Sequence, residues 1–269
     1  MKTPSSPAMQ KAIRATQQAN NVVVFSGAGM SADSGIGTFR GQGGAWSGIF
    51  GTLALLWGGT PVGWRWTPGL VWSRFVQDFY APIAAASPHE GHLALQELCD
   101  KGGFDSFAYI TMNVDGLHQA SGAQPDQVSE VHGSVCKYRC MACDKKLPDV
   151  GELDPKRQPR CDSCGGRARP DVTLFTEALP DDEWQTARRF IGRLKRGDVM
   201  LVAGTSSVVY PAASLPVRAA EKGVTIIEFN KDFPTPLSEI ASIAVEGRAA
   251  EAFPEFVAGV LETRAQANN

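Results

Sequence analysis

The chain has 269 residues, 43% of them hydrophobic and 20% charged, with a formal net charge of −2. That balance leaves no basic footprint, so a nucleic-acid partner has no support in composition. The most apolar region, 49–66, is broken by four glycines, a proline and an arginine, which argues against a bilayer span.

The opening stretch, MKTPSSPAMQKAIRATQQ, lacks the apolar core of a secretory leader, so a cytoplasmic location is expected. From about Pro7 to Asn20 the spacing of Ala8, Met9, Ala12, Ile13 and Ala15 predicts a helix. Val22-Val23-Val24-Phe25 is a continuous apolar run, the pattern of a strand buried on both faces of a parallel sheet. Gly27, Gly29 and Ala32 follow at the spacing G-x-G-x-x-A, where glycine lets backbone N–H groups approach a pyrophosphate at a helix start. A bare structural turn would carry the same glycines.

Residues 41–66 show no clean period and read as a long loop. Its Trp46, Phe50, Trp57, Trp64 and Trp66 either pack down as a satellite cluster or line an apolar channel over a ligand. Leu70–Ala86 and Glu90–Lys101 are predicted helices. Buried strands are predicted at Phe107–Thr111, Val199–Ala203 and Thr225–Phe229, each running into small or polar residues. Open α/β sheets place ligands past such strand ends, which singles out Asn113, Asp115 and His118 after the first of them. A closing helix is expected from Ala249 to about Arg264. The fold class that follows is α/β, a doubly wound, mostly parallel sheet carrying a helical or loop insert and a smaller metal-binding insert.

The metal insert rests on the most specific spacing in the chain. Cys140-x-x-Cys143 and Cys161-x-x-Cys164 are separated by seventeen residues, and four such thiolates close a tetrahedral zinc site. A closed four-cysteine shell has no position for water, so this zinc is expected to be structural. Cys99 and Cys136 are left over and read as free buried thiols.

A dehydrogenase of the doubly wound type needs an acidic residue about twenty positions after its glycine turn. Residues 47–59 contain no Asp or Glu, so hydride transfer loses support, and Glu228 or Asn230 is left to hold a ribose. Taken together, GAGMSADSGIGTFRG, NVDGLHQASG, VHGSV, the two CxxC pairs, RPDVTLFTEALP, GTSSVVYPAA and EFN occur in the order seen in sirtuins of bacterial type. The chain thus resembles the NAD-dependent protein-lysine deacylases from about Ala19 to Phe253.

The resemblance implies a Rossmann-like domain built from 1–40, 88–132 and 170–269, a cofactor loop and helical insert at 41–87, and a zinc domain at 133–169. It implies NAD bound by Gly27, Ala28, Gly29, Asp33, Thr38, Phe39, Arg40 and Trp46, and by Met112, Asn113, Val114 and Asp115. Gly204, Thr205, Ser206, Asn230 and Ala249 resemble the adenosine side. His132 corresponds to the general base, with Asn113 and Asp115 lining the nicotinamide pocket as catalytic partners, while His118 resembles a structural histidine. His89 and His92, at a helix start, are expected to be structural or exposed. Val172, Leu174, Phe175, Thr176 and Glu177 resemble the segment that pairs with an acyl-lysine peptide by β-augmentation. The implied reaction releases nicotinamide and passes the acyl group to ADP-ribose, with a histidine basic enough to take a proton near neutral pH.

Three departures stand out. Met112 replaces a Gln that would bond the nicotinamide ribose, and a thioether cannot donate. Thr176 replaces the Gly of a Phe-Gly-Glu triplet. Phe75 and Asp78 stand where succinyl-preferring relatives carry Tyr and Arg, so no succinyl preference is expected. A Trp-lined channel would favour longer acyl groups, at roughly 0.8 kcal/mol per buried methylene. Two other readings fit the same residues: NAD cleavage with ADP-ribose passed elsewhere, as in an ADP-ribosyltransferase or NAD glycohydrolase, and an NAD- or acyl-lysine-binding module without catalysis. The expected partner is an acyl-lysine protein or peptide, with no membrane and no nucleic acid, and the protein itself is expected to be a monomer.

Overall fold

The computed structural model describes residues 5–37, 57–147, 150–205 and 207–267, with side chains to 262. Helix α1 (Pro7–Gln17) starts where the sequence says it should, because the Ser6 hydroxyl accepts from Met9 N at 3.1 Å and Pro7 needs no partner at the first turn. Strand β1 (Asn21–Ser26) follows and is buried throughout. Its alternation sorts the apolar run onto two faces. Val22 and Val24 point into one core cluster, Val23 and Phe25 into the other.

Five further strands complete the large sheet: β2 (Ser106–Thr111), β3 (Val128–Glu130), β7 (Val199–Ala203), β8 (Thr225–Asn230) and β9 (Ile243–Glu246). Their order is β3-β2-β1-β7-β8-β9 and every neighbouring pair is parallel. The chain therefore winds outward in both directions from β1 and β7, and the crevice at their carboxyl ends is the topological switch point. The doubly wound expectation is met, with β3 and β9 added as short edge strands.

Helix α6 (Glu90–Lys101) and the closing helix α10 (Ala249–Ala267) pack on one face. Phe253 and Phe256 of α10 meet Phe229 of β8 with ring centroids 4.5 and 5.1 Å apart. Burying such a ring contributes about 2–3 kcal/mol, and the helix runs three residues past the predicted end at Arg264. Helices α8 (Asp181–Arg193) and α9 (Ser214–Glu221) cover the opposite face.

The first insert differs from its expectation. Residues 61–66 form helix α3 (Pro61–Trp66), not loop, with the Thr60 hydroxyl facing Gly63 N at 3.4 Å and Pro61 in the first turn. Helix α4 (Pro68–Arg74) continues into a six-residue π-helical stretch, Phe75–Tyr80, and then into α5 (Ala81–Ala84). Ala81 N reaches back five residues to Val76 O, and the next residue, Pro82, has no N–H to give. Of the tryptophans, Trp64 joins Trp72 and Phe75 in a buried cluster, whereas Trp57 is partly exposed and Trp66 is 73% exposed. Trp46 and Phe50 lie outside the described residues. The second insert is a three-stranded antiparallel sheet, β5-β4-β6, made of β4 (Gly133–Cys140), β5 (Lys146–Leu147) and β6 (Ala168–Val172).

Candidate active site

The glycines of the first turn sit against the loop after β7. Gly27 N donates to Ala203 O at 3.0 Å and Gly29 N to Gly204 O at 2.8 Å. A Cβ on Gly29 would lie 2.8 Å from the Gly204 backbone, and one on Gly204, at φ 58°, would lie 2.3 Å from Met30 N. The sequence assigned these glycines to a pyrophosphate. Here two of their N–H groups are spent on the neighbouring loop, so glycine is required first for backbone-on-backbone contact across the switch point. The turn opens only a four-residue helix, α2 (Ala28–Ser31).

Asn113 and Asp115 follow β2 and converge on the same turn. Asn113 Nδ2 donates to Gly27 O and to Ser31 Oγ, both at 3.0 Å, and Ser31 Oγ donates to Asp115 Oδ2 at 2.7 Å. Asp115 also accepts from Leu117 N at 3.0 Å, yet burial still holds its carboxyl above the usual range. Both Asn113 donors face the protein, which leaves Oδ1 as its remaining acceptor. Ser31 was not selected from the sequence. Its place in GAGMS, one turn from Gly27 and facing the strand end, was the available signal.

A pocket runs from these residues to the first insert. Ala28, Ser31, Asn113, Val114 and Asp115 form one wall, while Asp78, Phe79 and Ile83 form the other. Asp78 is paired with Arg74 at 3.2 Å, and Phe75 is buried in the tryptophan cluster.

His132 lies beyond β3. Its Nδ1 is 3.0 Å from Met112 O. A carbonyl only accepts, so Nδ1 carries the proton and Nε2 holds the free lone pair. Burial lowers the imidazole below its ordinary pKa, against a smaller opposing effect of the Met112 bond, so the ring is neutral at pH 7. The Met112 side chain packs against the core cluster under the sheet. Its backbone oxygen, not its thioether, is what meets the site.

The other predicted residues are spread around the same rim. Asn230 Nδ2 donates to Thr205 O at 3.2 Å, joining the ends of β7 and β8. Ala249 begins α10 nearby. Asp33 accepts from Arg248 Nε at 2.9 Å and Nη2, and from Ala250 N at 3.3 Å. Burial alone would raise its carboxyl, but Arg248 and Ala250 pull it below the usual range. Thr38, Phe39, Arg40, Trp46 and Ser206 lie outside the described residues.

His118 is buried, its Nε2 2.8 Å from Ser26 Oγ, and desolvation pushes it down to about 4. His92 is equally buried and stays neutral for the same reason. His89 caps α6, with Nδ1 accepting from Gly91 N at 2.9 Å and Nε2 therefore donating to Met30 O. All three are structural, in line with expectation.

Strand β6 ends at Val172 and the chain turns at Phe175 and Thr176 rather than continuing as a strand. Leu174 is buried in the insert cluster, while Phe175 is 51% exposed. Arg169 Nη2 and Arg139 Nη2 reach Glu177 Oε1 at 2.6 and 3.2 Å.

The four cysteines of the second insert come together. Their sulfurs all lie within 4.8 Å of one another. Cys140–Cys164, Cys143–Cys161 and Cys143–Cys164 are 3.5, 3.8 and 3.4 Å apart. Zinc–sulfur bonds of about 2.3 Å in a tetrahedron require sulfurs about 3.8 Å apart, so the donor set fits zinc. Of the two remaining thiols, Cys99 is half-buried and Cys136 is exposed, so the expectation of two buried thiols is corrected.

A switch-point crevice with a neutral histidine, a buried Asn–Ser–Asp chain and a four-cysteine insert defines a doubly wound α/β nucleotide-site protein. The chain belongs to the Sir2 family, whose pattern it matches over residues 27–211. It is 41% identical over 251 residues to NAD-dependent protein deacylase 2 of Pyrobaculum aerophilum, covering 90% of this chain and 93% of that protein. It is 38% identical over 246 residues to an NAD-dependent protein deacylase of Mycobacterium tuberculosis, covering 90% and 96%. Among solved structures, a Sir2 homologue–NAD complex superposes with a TM-score of 0.83 at 34% identity, covering 95% of this chain and 94% of that one. A Sir2 homologue bound to 2′-O-acetyl ADP ribose superposes with a TM-score of 0.85 at 35% identity, covering 97% and 99%. A Sir2 complex with p53 peptide and NAD superposes at 0.76 with 29% identity, covering 96% and 99%.

Proposed function

We propose that the protein is an NAD-dependent protein-lysine deacylase, with acetyl-lysine as its first substrate. The observation that carries this is His132, held as a single tautomer with Nε2 left basic by the backbone oxygen of Met112, the residue before Asn113 of the pocket. A binding module would need no such base.

NAD, when bound, supplies the electrophilic ribose carbon and the acyl acceptor. Asn113 Oδ1 is the acceptor suited to the nicotinamide amide, and Ser31 locks Asn113 and Asp115 into one orientation. Fixing both reactants in line is the main contribution asked of the pocket, because an amide oxygen is a weak nucleophile. His132 Nε2 takes the proton of a ribose hydroxyl, a role its neutral state suits. The rim of Gly27, Gly29, Gly204, Thr205, Asn230 and Ala249 takes the rest of the nucleotide. The segment Val172–Glu177 takes the acyl-lysine, and Asp78 in the pocket wall disfavours an acidic acyl group. Cys140, Cys143, Cys161 and Cys164 hold a structural zinc. The division into a nucleotide domain, a helical insert and a zinc insert is supported by two core clusters flanking the sheet and a third under the inserts. Among the described residues no helix is long and apolar enough to cross a membrane. We place the enzyme in the cytoplasm as a monomer.

The test is NAD turnover with acetyl-, butyryl-, decanoyl- and succinyl-lysine peptides, comparing wild type with His132→Ala. Nicotinamide and O-acyl-ADP-ribose appearing together, only in wild type, is the expected result. NAD cleavage without peptide, or label transferred from NAD to protein without deacylation, overturns it.

A further inference from the structure

The turn Leu174–Glu177 is held more tightly than its exposed position requires. Leu174 N donates to Glu177 Oε2 and Glu177 N to Leu174 O, both at 3.0 Å. Arg169 and Arg139 grip the other carboxylate oxygen. Between these anchors Thr176, a β-branched residue, sits at φ 77°, in the left-handed region it ordinarily avoids. Strain of this kind persists where the surroundings dictate the backbone, and it gathers at ligand clamps.

The remaining hold on this turn comes from the other insert. Phe175 N donates to Gly59 O at 2.7 Å. Gly59 is the turn residue that follows helical Trp57 and Gly58, and these residues form a strap fastened to α3 and α4. Trp57 O accepts from Thr60 Oγ1 at 3.0 Å, and Trp57 Nε1 donates to Thr67 Oγ1 at 2.7 Å. Gly63 has no room for more: a Cβ there would lie 2.0 Å from Trp57 O. The strap thus carries the position of the helical insert to the backbone amide of Phe175, while the Phe175 ring stays half out in solvent.

We propose that the Trp57–Gly59 strap, set by Thr67 and Gly63, is a positioning element for the acyl-lysine substrate. It fixes the depth at which Phe175 meets the acyl-lysine chain. These residues touch no reacting atom and act through Phe175. The inference rests on the deacylase reading.

Thr67→Val removes the Trp57 anchor at nearly constant shape, and Thr67→Ser keeps it. Steady-state kinetics with an acetyl-lysine peptide and with NAD as separate variables, together with thermal unfolding, tests the idea. The expected result for Thr67→Val is a KM for peptide raised roughly 3- to 10-fold, from the loss of the hydroxyl's two hydrogen bonds to Trp57 Nε1 and Gly63 O, with KM for NAD and the melting temperature unchanged. Thr67→Ser is expected to match wild type. Gly63→Ala is expected to shift peptide KM in the same direction by displacing the strap itself. An unchanged peptide KM in a folded Thr67→Val enzyme overturns the strap and leaves the deacylase reading standing. A wild type that neither binds nor turns over the peptide overturns both.

Discussion

The amide of Thr173 donates to the carbonyl of His132 at 2.9 Å, so the chain leaves for the zinc insert and returns from it at one point. Gly133 and Val172 continue that contact as the first register pair of β4 and β6. His132 and the turn Leu174–Glu177 therefore flank two paired strands, β4 and β6, of one small sheet. Moving either means moving the insert.

Removal of zinc is accordingly expected to abolish activity, although no cysteine lines the active-site pocket. Binding free energy at structural zinc sites is on the order of 10 kcal/mol and appears as folding free energy. Chelator treatment, or Cys161→Ser, should lower the melting temperature and remove deacylation together, with zinc content followed by atomic emission. Full activity in a zinc-free protein would refute the coupling.

The pH dependence follows from His132. The ring works as a base only when neutral, and burial lowers its pKa below the ordinary imidazole value. The acid limb of kcat/KM for the free enzyme should then lie below pH 6.5, with a plateau at neutral pH. A limb above that value would assign the base elsewhere.

Gly204 gives a third prediction. At φ 58° and with Met30 N 2.3 Å from a notional Cβ, Gly204→Ala strains the backbone and pushes the two switch-point loops apart. A loss of about 1–3 kcal/mol in urea unfolding is expected, with weakened NAD binding by calorimetry.

Asp33 and Arg248 give a fourth. The Asp33 carboxyl is depressed in the folded state, so its stabilising effect is present above the unfolded carboxylate pKa and is lost as pH falls through the folded one. Arg248→Ala should be less stable than wild type at pH 7, and the difference should shrink as pH falls below the ordinary carboxylate range. Because Arg248 is mostly exposed, added salt should also narrow the difference.

Much of this arrangement was legible in the chain. Val22–Phe25 and Val199–Ala203 carry continuous apolar runs that only a doubly covered strand would bury, and both are central strands. The CxxC spacing named its four ligands because thiolate geometry is local. What escaped was non-local or short. Asp33 meets Arg248 across 215 positions, which no spacing announces. Edge strands β3 and β9 span three and four residues, too few for a period to show. Helix α3 was hidden by Gly63 within it and by Gly58 and Gly59 before it, although Thr60-Pro61 is a helix-start signal that outweighed them. The bond from His132 to the Met112 carbonyl was also out of reach, because a backbone oxygen leaves no mark in the identity of its residue.

The brevity of those edge strands has its own effect. The most apolar strands of the sheet lie at its centre, and each border exposes only three or four residues of backbone to pairing. An edge that short offers little template for another chain, so the sheet is protected from growing intermolecularly by the place where its hydrophobic strands stop. Lengthening β9 with alternating valines would be the way to make this protein aggregate while leaving its active site untouched.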